Sequence, residues 1–470
     1  MTCTDDAATV DAWDALGGRA ELAAGVSYQG AGNVLPARLP VRELARACVG
    51  VCSLAAAELL AGRNGTPVPA VRVNEGAVAA AFVSERHLRI EGRAAVSFAP
   101  LSGFWRADDG WVRTHANYPH HRARLLDAVG IPDTGDDQEL ARTLARTLAS
   151  RPARSVQEDV YARGGLAVAV ARSAEDGAQL LDDRPLVTMH RTSGAGGAAP
   201  RVLPPGPLPA SGVRVLDLTR VIAGPVSTRT LALLGADVLR VDTPSLREDA
   251  DAHTDTGMGK RSTLLDLTAA QDRQTFETLL DTADVVVTGY RPGALDRHGL
   301  SPAALLERRP GLIVAHLSAW GRSGPWSQRR GFDSLVQAAS GIAAIERGDG
   351  DGMPGGGSPG VLPAQALDHG TGYLLAAAVL RALTERQLTG SGTELQFSLA
   401  GTAAWLVRGI KKTPVPAGDP DPERWLAETD SGYGRLRYAL PPVNYEGGPG
   451  TWARASTRWG SDLPRWTGTD

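Results

Sequence analysis

At 470 residues, 43% hydrophobic and 21% charged, the chain has an ordinary globular composition and room for two or three packed domains. A net charge of −3 gives no bulk attraction for nucleic acid or a membrane surface, so an anionic ligand would have to be held by a local group of bases. Three cysteines (Cys3, Cys48, Cys52) exclude a disulfide framework; Cys48 and Cys52 stand one helical turn apart in an apolar stretch and read as buried thiols.

The first residues carry acids where a leader would carry bases and then an apolar run, so the expectation is a cytoplasmic protein. The apolar segments are interrupted by Arg, Glu or Gly before the ~20 residues a bilayer requires. Only Lys260, Lys411 and Lys412 are lysines among 49 basic residues, which singles each of them out.

In chain order, ELARACVGVCSLAAAELLAGRNG reads as a helix closed by glycine, with VPAVRVNEGAVAAAFV as a strand and an Ala-rich segment. Residues 108–130 read as a strand running into a helix, and carry His115, His120 and His121. Their spacing lacks partner ligands, so no metal is expected. Residues 138–192 alternate helical and short apolar runs, and 193–212, rich in Gly, Pro and Ala, reads as a linker.

Beyond the linker, short apolar runs at 213–218, 237–242, 262–267, 284–289 and 311–318 alternate with helical stretches. That is the pattern of a parallel sheet with helical crossovers, hence an α/β fold with a Rossmann-like domain. Ligands sit beyond the carboxyl ends of such strands, at 223–225, 241–243 and 289–293 here. No G-x-G-x-x-G follows the first strand and no P-loop is present; Gly355–Gly357 read as flexible linkage. A long buried helix follows Asp368, ended by TGSG and followed by the strand TELQFSL. This order repeats the N-terminal one, with Ala45 or Arg46 standing where the second copy has Asp368. The tail, 411–470, is expected to wrap a surface in extended form, anchored by Trp452, Trp459 and Trp466.

Asp368 has two compatible readings. It is a helix N-cap, or it is a nucleophilic carboxylate kept ionised by the helix terminus, with Gly370 and Gly372 admitting another molecule to the backbone. Lys260, in the basic pair that follows Gly259 and opens a strand, is a solvated turn residue or a phosphate contact; Arg291 and Arg297 flank a turn where an anion would dock.

Seven segments from about Val213 to Leu406, among them VLDLTRVIAGP, LLGADVLRVDTP, ADVVVTGYRPGALDRHGLSP, GFDSLVQAASG and LDHGTGYLLAAAVLRALTERQLTGSGTELQFSL, resemble the family III CoA-transferases of the carnitine and bile-acid type. The resemblance implies a Rossmann-like catalytic domain at 213–410 with a smaller α+β domain. It also implies that Asp368 attacks an acyl-CoA, passes through a mixed anhydride to an aspartyl-CoA thioester, and gives CoA to an acceptor acid. CoA contacts are implied at Ile222, Ala223, Thr243, Gly257, Met258, Gly259, Lys260, Gly289, Tyr290, Arg291, Arg297, Arg330, Gly331, Phe332 and Asp333. The substrates implied are an acyl-CoA and a small carboxylic acid, with no permanently bound cofactor.

Residues 1–192 resemble a later, small-domain portion of the same family, so the domain order reads as rearranged or partly duplicated. A homodimer, interlocked or imitated within one chain, is expected. Two rivals stand beside this reading. A racemase of the same superfamily would need a histidine where Phe332 stands, and a non-catalytic acyl-CoA-binding homologue would need no nucleophile.

Overall fold

The computed structural model describes residues 6–96, 98–182, 184–192, 202–348 and 357–468; Cys3, the linker's first residues (193–201) and Gly355–Gly356 lie outside them. Its centre is a seven-stranded sheet. In spatial order the strands are Arg261–Leu264, Asp237–Asp242, Arg214–Leu218, Val285–Thr288, Ile313–Ser318, Thr393–Ser398 and Thr188–Arg191. The first six are parallel, in the 3-2-1-4-5-6 order of a Rossmann sheet. The seventh, from the N-terminal part, closes the edge antiparallel to Thr393–Ser398.

These strands read clearly in sequence because both faces are covered. Val215, Val285 and Ile313 point into a core shared with the helices Val41–Asn64, Ala223–Leu233 and Ala366–Thr389. Leu216, Val286 and Val314 point the other way, toward the helices Ala270–Leu280 and Pro302–Arg308. Burial on both sides leaves a continuous apolar run rather than an alternating one.

Residues 1–192, expected as one small-domain-like region, are divided among three places. A compact α+β unit with its own core, from Leu101 to Ala169, holds the strands Phe104–Ala107, Gly110–Thr114 and Ala167–Ala169. The preceding helices join the main core, and Thr188–Arg191 joins the main sheet. Residues 202–212 of the expected linker are packed as well: Arg63 donates to the carbonyls of Pro204, Leu208, Pro209 and Ser211.

The repeat is present in three dimensions. Val41–Asn64 and Ala366–Thr389 are both 24 residues long, end on left-handed glycines (Gly65, φ 65°; Gly390, φ 71°) and pack against each other. Each leads to a strand whose last residue, Asn74 or Ser398, caps the next helix. Val41–Asn64 is long and apolar enough to cross a membrane, contrary to the expectation for the apolar segments, but 89% of its apolar window is buried inside the protein.

The tail contains the hairpin Leu426–Ser431/Gly434–Ala439 and then runs extended past the outer strand Arg261–Leu264, where the Asp462 N–H donates to the Ser262 carbonyl. Its three expected anchors each donate an indole N–H: Trp452 to the Arg229 carbonyl (2.8 Å), Trp459 to Asp242 (2.9 Å) and Trp466 to the Leu279 carbonyl (3.3 Å).

Candidate active site

Asp368 lies inside its helix, not ahead of it: Gln365 is at the N-cap position, and Asp368 is the third helical residue. The capping acid is instead Asp333, first residue of the helix Asp333–Ala339, whose Oδ2 accepts the Asp368 backbone N–H at 2.9 Å while Oδ1 accepts from Gln337. No hydrogen bond reaches the Asp368 carboxylate among the described residues, and the residue is 7% exposed.

Burial pushes the Asp368 carboxyl well above the ordinary carboxylate range, and the nearby acids Asp333 and Glu85 push it further. Burial also raises Asp333, to about 6. The pair therefore competes for one negative charge, and the expectation of a carboxylate held ionised by the helix terminus is corrected. Desolvation and two like charges oppose the effect of the helix terminus. Glu85 comes from the short helix Ser84–His87, and its Oε2 faces His369 Nε2 at 3.6 Å.

Gly370 and Gly372 serve packing rather than access. A side chain at Gly372 would meet the Ala223 carbonyl at 2.6 Å, and one at Gly370 would meet Leu44 at 3.4 Å and Cys48 at 3.5 Å. Through Gly372 the first turn of the Asp368 helix lies against the start of Ala223–Leu233. That helix begins where the sheet's strand order reverses, between Arg214–Leu218 and Val285–Thr288. Ile222, Ala223, Gly289 and Tyr290 are gathered at this point. Immediately before them Val221 has φ 71°, a strained conformation for a β-branched residue, which nothing in the sequence signals.

The strain is held from beneath. Asp217 accepts from the Thr219 N–H (2.9 Å), the Thr228 hydroxyl (2.6 Å) and Lys260 Nζ (3.0 Å). Lys260 is therefore neither a solvated turn residue nor a phosphate contact: it is 2% exposed, and burial, partly opposed by Asp217, draws its pKa down to about 8. Gly257, Met258 and Gly259 are likewise withdrawn from any ligand by the tail, because the Gly259 N–H donates to the Arg454 carbonyl and Gly257 lies against Ser456. Asp242 is buried between Arg240 (2.7 Å) and Trp459, leaving Thr243 at the surface beside Ser245.

The expected arginines divide. Arg291 and Arg330 are exposed and lie close enough that Arg291 and Arg124, together with burial, hold the Arg330 guanidinium below its usual range. Three arginines so placed, at the end of a strand beside the sheet's reversal point, suit a polyphosphate. Arg124 comes from the α+β unit and was not foreseen. Arg297 is exposed and donates to His298. Substituting Arg291 or Arg330 by alanine is expected to weaken the binding of a polyphosphate ligand about ten-fold, read from titrations at two salt concentrations.

Gly331 and Phe332 lead into Asp333. The Phe332 ring stacks on His115, with centroids 3.8 Å apart, and meets His121 edge-on at 5.9 Å. Burial pushes the pKa of His115 well below its ordinary value and that of His121 to about 3, so both imidazoles are neutral packing partners.

Residues 210–427 match the model of CoA-transferase family III. This segment holds Asp368, Asp333 and the reversal point, whereas Glu85, His115 and Arg124 come from outside it. Over 213 residues the chain is 37% identical to a Mycobacterium tuberculosis protein named probable fatty acyl-CoA transferase Rv3272, covering 42% of this chain and 52% of that protein. Over 206 residues it is 34% identical to the succinyl-CoA–L-malate CoA-transferase beta subunit of Chloroflexus aurantiacus, covering 41% and 49%. The crystal structure of Rv3272 aligns at 38% identity with a TM-score of 0.39, over 43% of this chain and 57% of that one. The chain thus spans about half the length of the curated relatives it matches.

Proposed function

We propose that the chain transfers CoA from an acyl-CoA to a carboxylic acid, with Asp368 as the nucleophile. The observation that supports it best is the state of Asp368: a buried carboxylate, free of hydrogen bonds to its oxygens, beside a second carboxylate at the carboxyl edge of a Rossmann sheet. An unsolvated carboxylate of raised pKa is a stronger base, and so a stronger nucleophile, once its proton has left.

In the proposed sequence the ionised Asp368 attacks the thioester carbonyl and expels CoA thiolate, leaving a mixed anhydride. The thiolate attacks the aspartyl carbonyl, releasing the donor acid and leaving an aspartyl-CoA thioester. The acceptor carboxylate then attacks that thioester, forming a second anhydride and freeing the thiolate. Attack of the thiolate on the acceptor's carbonyl gives the new acyl-CoA and restores Asp368. Arg291, Arg330 and Arg124 hold the phosphates, and the Ile222–Ala223 and Gly289–Tyr290 turns receive the rest of the carrier.

Mass spectrometry after incubation with a panel of acyl-CoAs tests the reading. A CoA adduct on Asp368 is expected; measurable CoA binding with no adduct from any thioester would overturn it. The protonated resting state has its own consequence. Activity rises with pH as Asp368 ionises, and Asp333→Asn, by removing the like charge, moves that rise toward lower pH by about one unit in the kcat/KM profile.

One observation favours a second reading. His115 lies over Phe332, so an imidazole occupies the neighbourhood where an α-proton exchange would need one. Deuterium wash-in at the acyl α-carbon, without CoA transfer, would support that exchange.

A further inference from the structure

Glu248 gathers hydrogen bonds from distant parts of the chain. It is buried in the connection between the strand Asp237–Asp242 and the helix Ala250–Thr256. Its Oε2 accepts from Arg240 Nη2 (2.8 Å) and from the Val221 N–H (3.3 Å). Its Oε1 accepts from the Tyr118 hydroxyl (2.6 Å), the Asp249 N–H (3.1 Å) and Arg220 Nη2 (3.4 Å). Burial works against the charge, but Arg240, Arg220 and the Tyr118 bond bring the carboxyl down to about 2, so the side chain only accepts.

One of these donors belongs to the site. Val221, with φ 71°, stands immediately before Ile222 and Ala223, which open the helix Ala223–Leu233 at the sheet's reversal point. A β-branched residue keeps that conformation only where its surroundings over-determine it, and such strain collects at ligand sites. Asp217 holds the near end of the turn, at Thr219, whereas Glu248 holds the strained residue itself. Arg220, between them, donates also to the carbonyls of Leu246 and Arg247. Tyr118, 130 residues away in sequence, fixes the carboxylate from the other side, its ring lying 5.4 Å from the Arg220 guanidinium. Charge balance alone does not require this arrangement, because Arg240 already has Asp242 at 2.7 Å.

We propose that Glu248 is a positioning residue, which holds the Val221 turn in its strained form so that the Ile222–Ala223 backbone receives the CoA carrier. The assignment rests on the transferase reading above and adds to it the group that keeps the carrier's cradle in shape.

Calorimetric titration of the full chain with CoA tests it without turnover. Glu248→Gln, which turns one acceptor into a donor, is expected to weaken CoA binding about ten-fold or more. Val221→Gly, at an angle that glycine adopts without strain, is expected to return the affinity of Glu248→Gln to within about three-fold of the wild type. An affinity unchanged in Glu248→Gln would overturn the assignment. So would a loss that Val221→Gly does not recover, since a merely structural carboxylate gains nothing from glycine at that position. Should Glu248→Gln not fold, Glu248→Asp keeps the charge but not the reach, and is expected to show the same loss and the same recovery; wild-type affinity in that variant counts against the proposal. Affinities that follow this pattern with no CoA adduct on Asp368 would defeat the transferase reading and leave the positioning standing. An adduct on Asp368 with CoA affinity indifferent to these substitutions would do the reverse.

Discussion

Asp368→Asn is expected to reduce CoA transfer by at least ~10³-fold, with no CoA adduct in the mass spectrum, because an amide oxygen cannot open the thioester. The same variant is expected to be more stable than the wild type at pH 8. A buried acid of raised pKa binds its proton more tightly in the folded state than in the unfolded one. Its contribution to stability is therefore full below the unfolded pKa, near 4, and is lost as pH rises through the folded value. Asp333 ionises above about pH 6, and the asparagine removes the second charge that Asp368 would add to the pair as pH rises further. A melting temperature that falls from pH 6 to pH 8 in the wild type and falls less in the variant is the expected result. Parallel slopes would mean that the carboxylates are not coupled.

Lys260→Met is expected to carry the largest cost in stability, about 3–5 kcal/mol. The substitution preserves volume but strands Asp217, which is 0% exposed and would keep its charge without a counterion. Adding Asp217→Asn should recover part of the loss, a non-additivity that denaturant titration of both single variants and the double variant would measure. If Lys260→Met instead melts like the wild type and only loses CoA affinity, the lysine faces the ligand after all.

The strands of the central sheet were legible because burial on both faces writes itself locally as runs such as VVVT and IVAHLS. Asp237–Asp242 has the bounds that the sequence suggested. The site was only half legible. Lys260, just after Gly259, looked exposed because what covers its segment, Trp452 to Ser456, lies about two hundred residues later. Asp333 was expected at the carrier, but its partner is the backbone of Asp368, a contact between two helix starts that no periodicity encodes. In the repeat, Ala-rich sequence gave no register, so Ala45 or Arg46 was paired with Asp368. The matching helix ends show that Glu43, also the third residue of its helix, is the true counterpart.

That correspondence bears on how the two halves divide their labour. Glu43 is an acid in the nucleophile's place, but it accepts from the Thr413 N–H (2.9 Å) and hydroxyl (2.7 Å) and from Arg42 (2.7 Å). Although burial raises it, these bonds hold its carboxyl below the ordinary range. One copy of the helix thus presents a bare, reluctant acid, and the other a quenched one whose lone pairs are already spent. Two copies encoded in one chain can drift apart in this way, whereas a protein that pairs with an identical copy of itself must change both at once. On the proposed reading the chain has one working centre, and the segment bearing Thr413 fills the corresponding place in the other half.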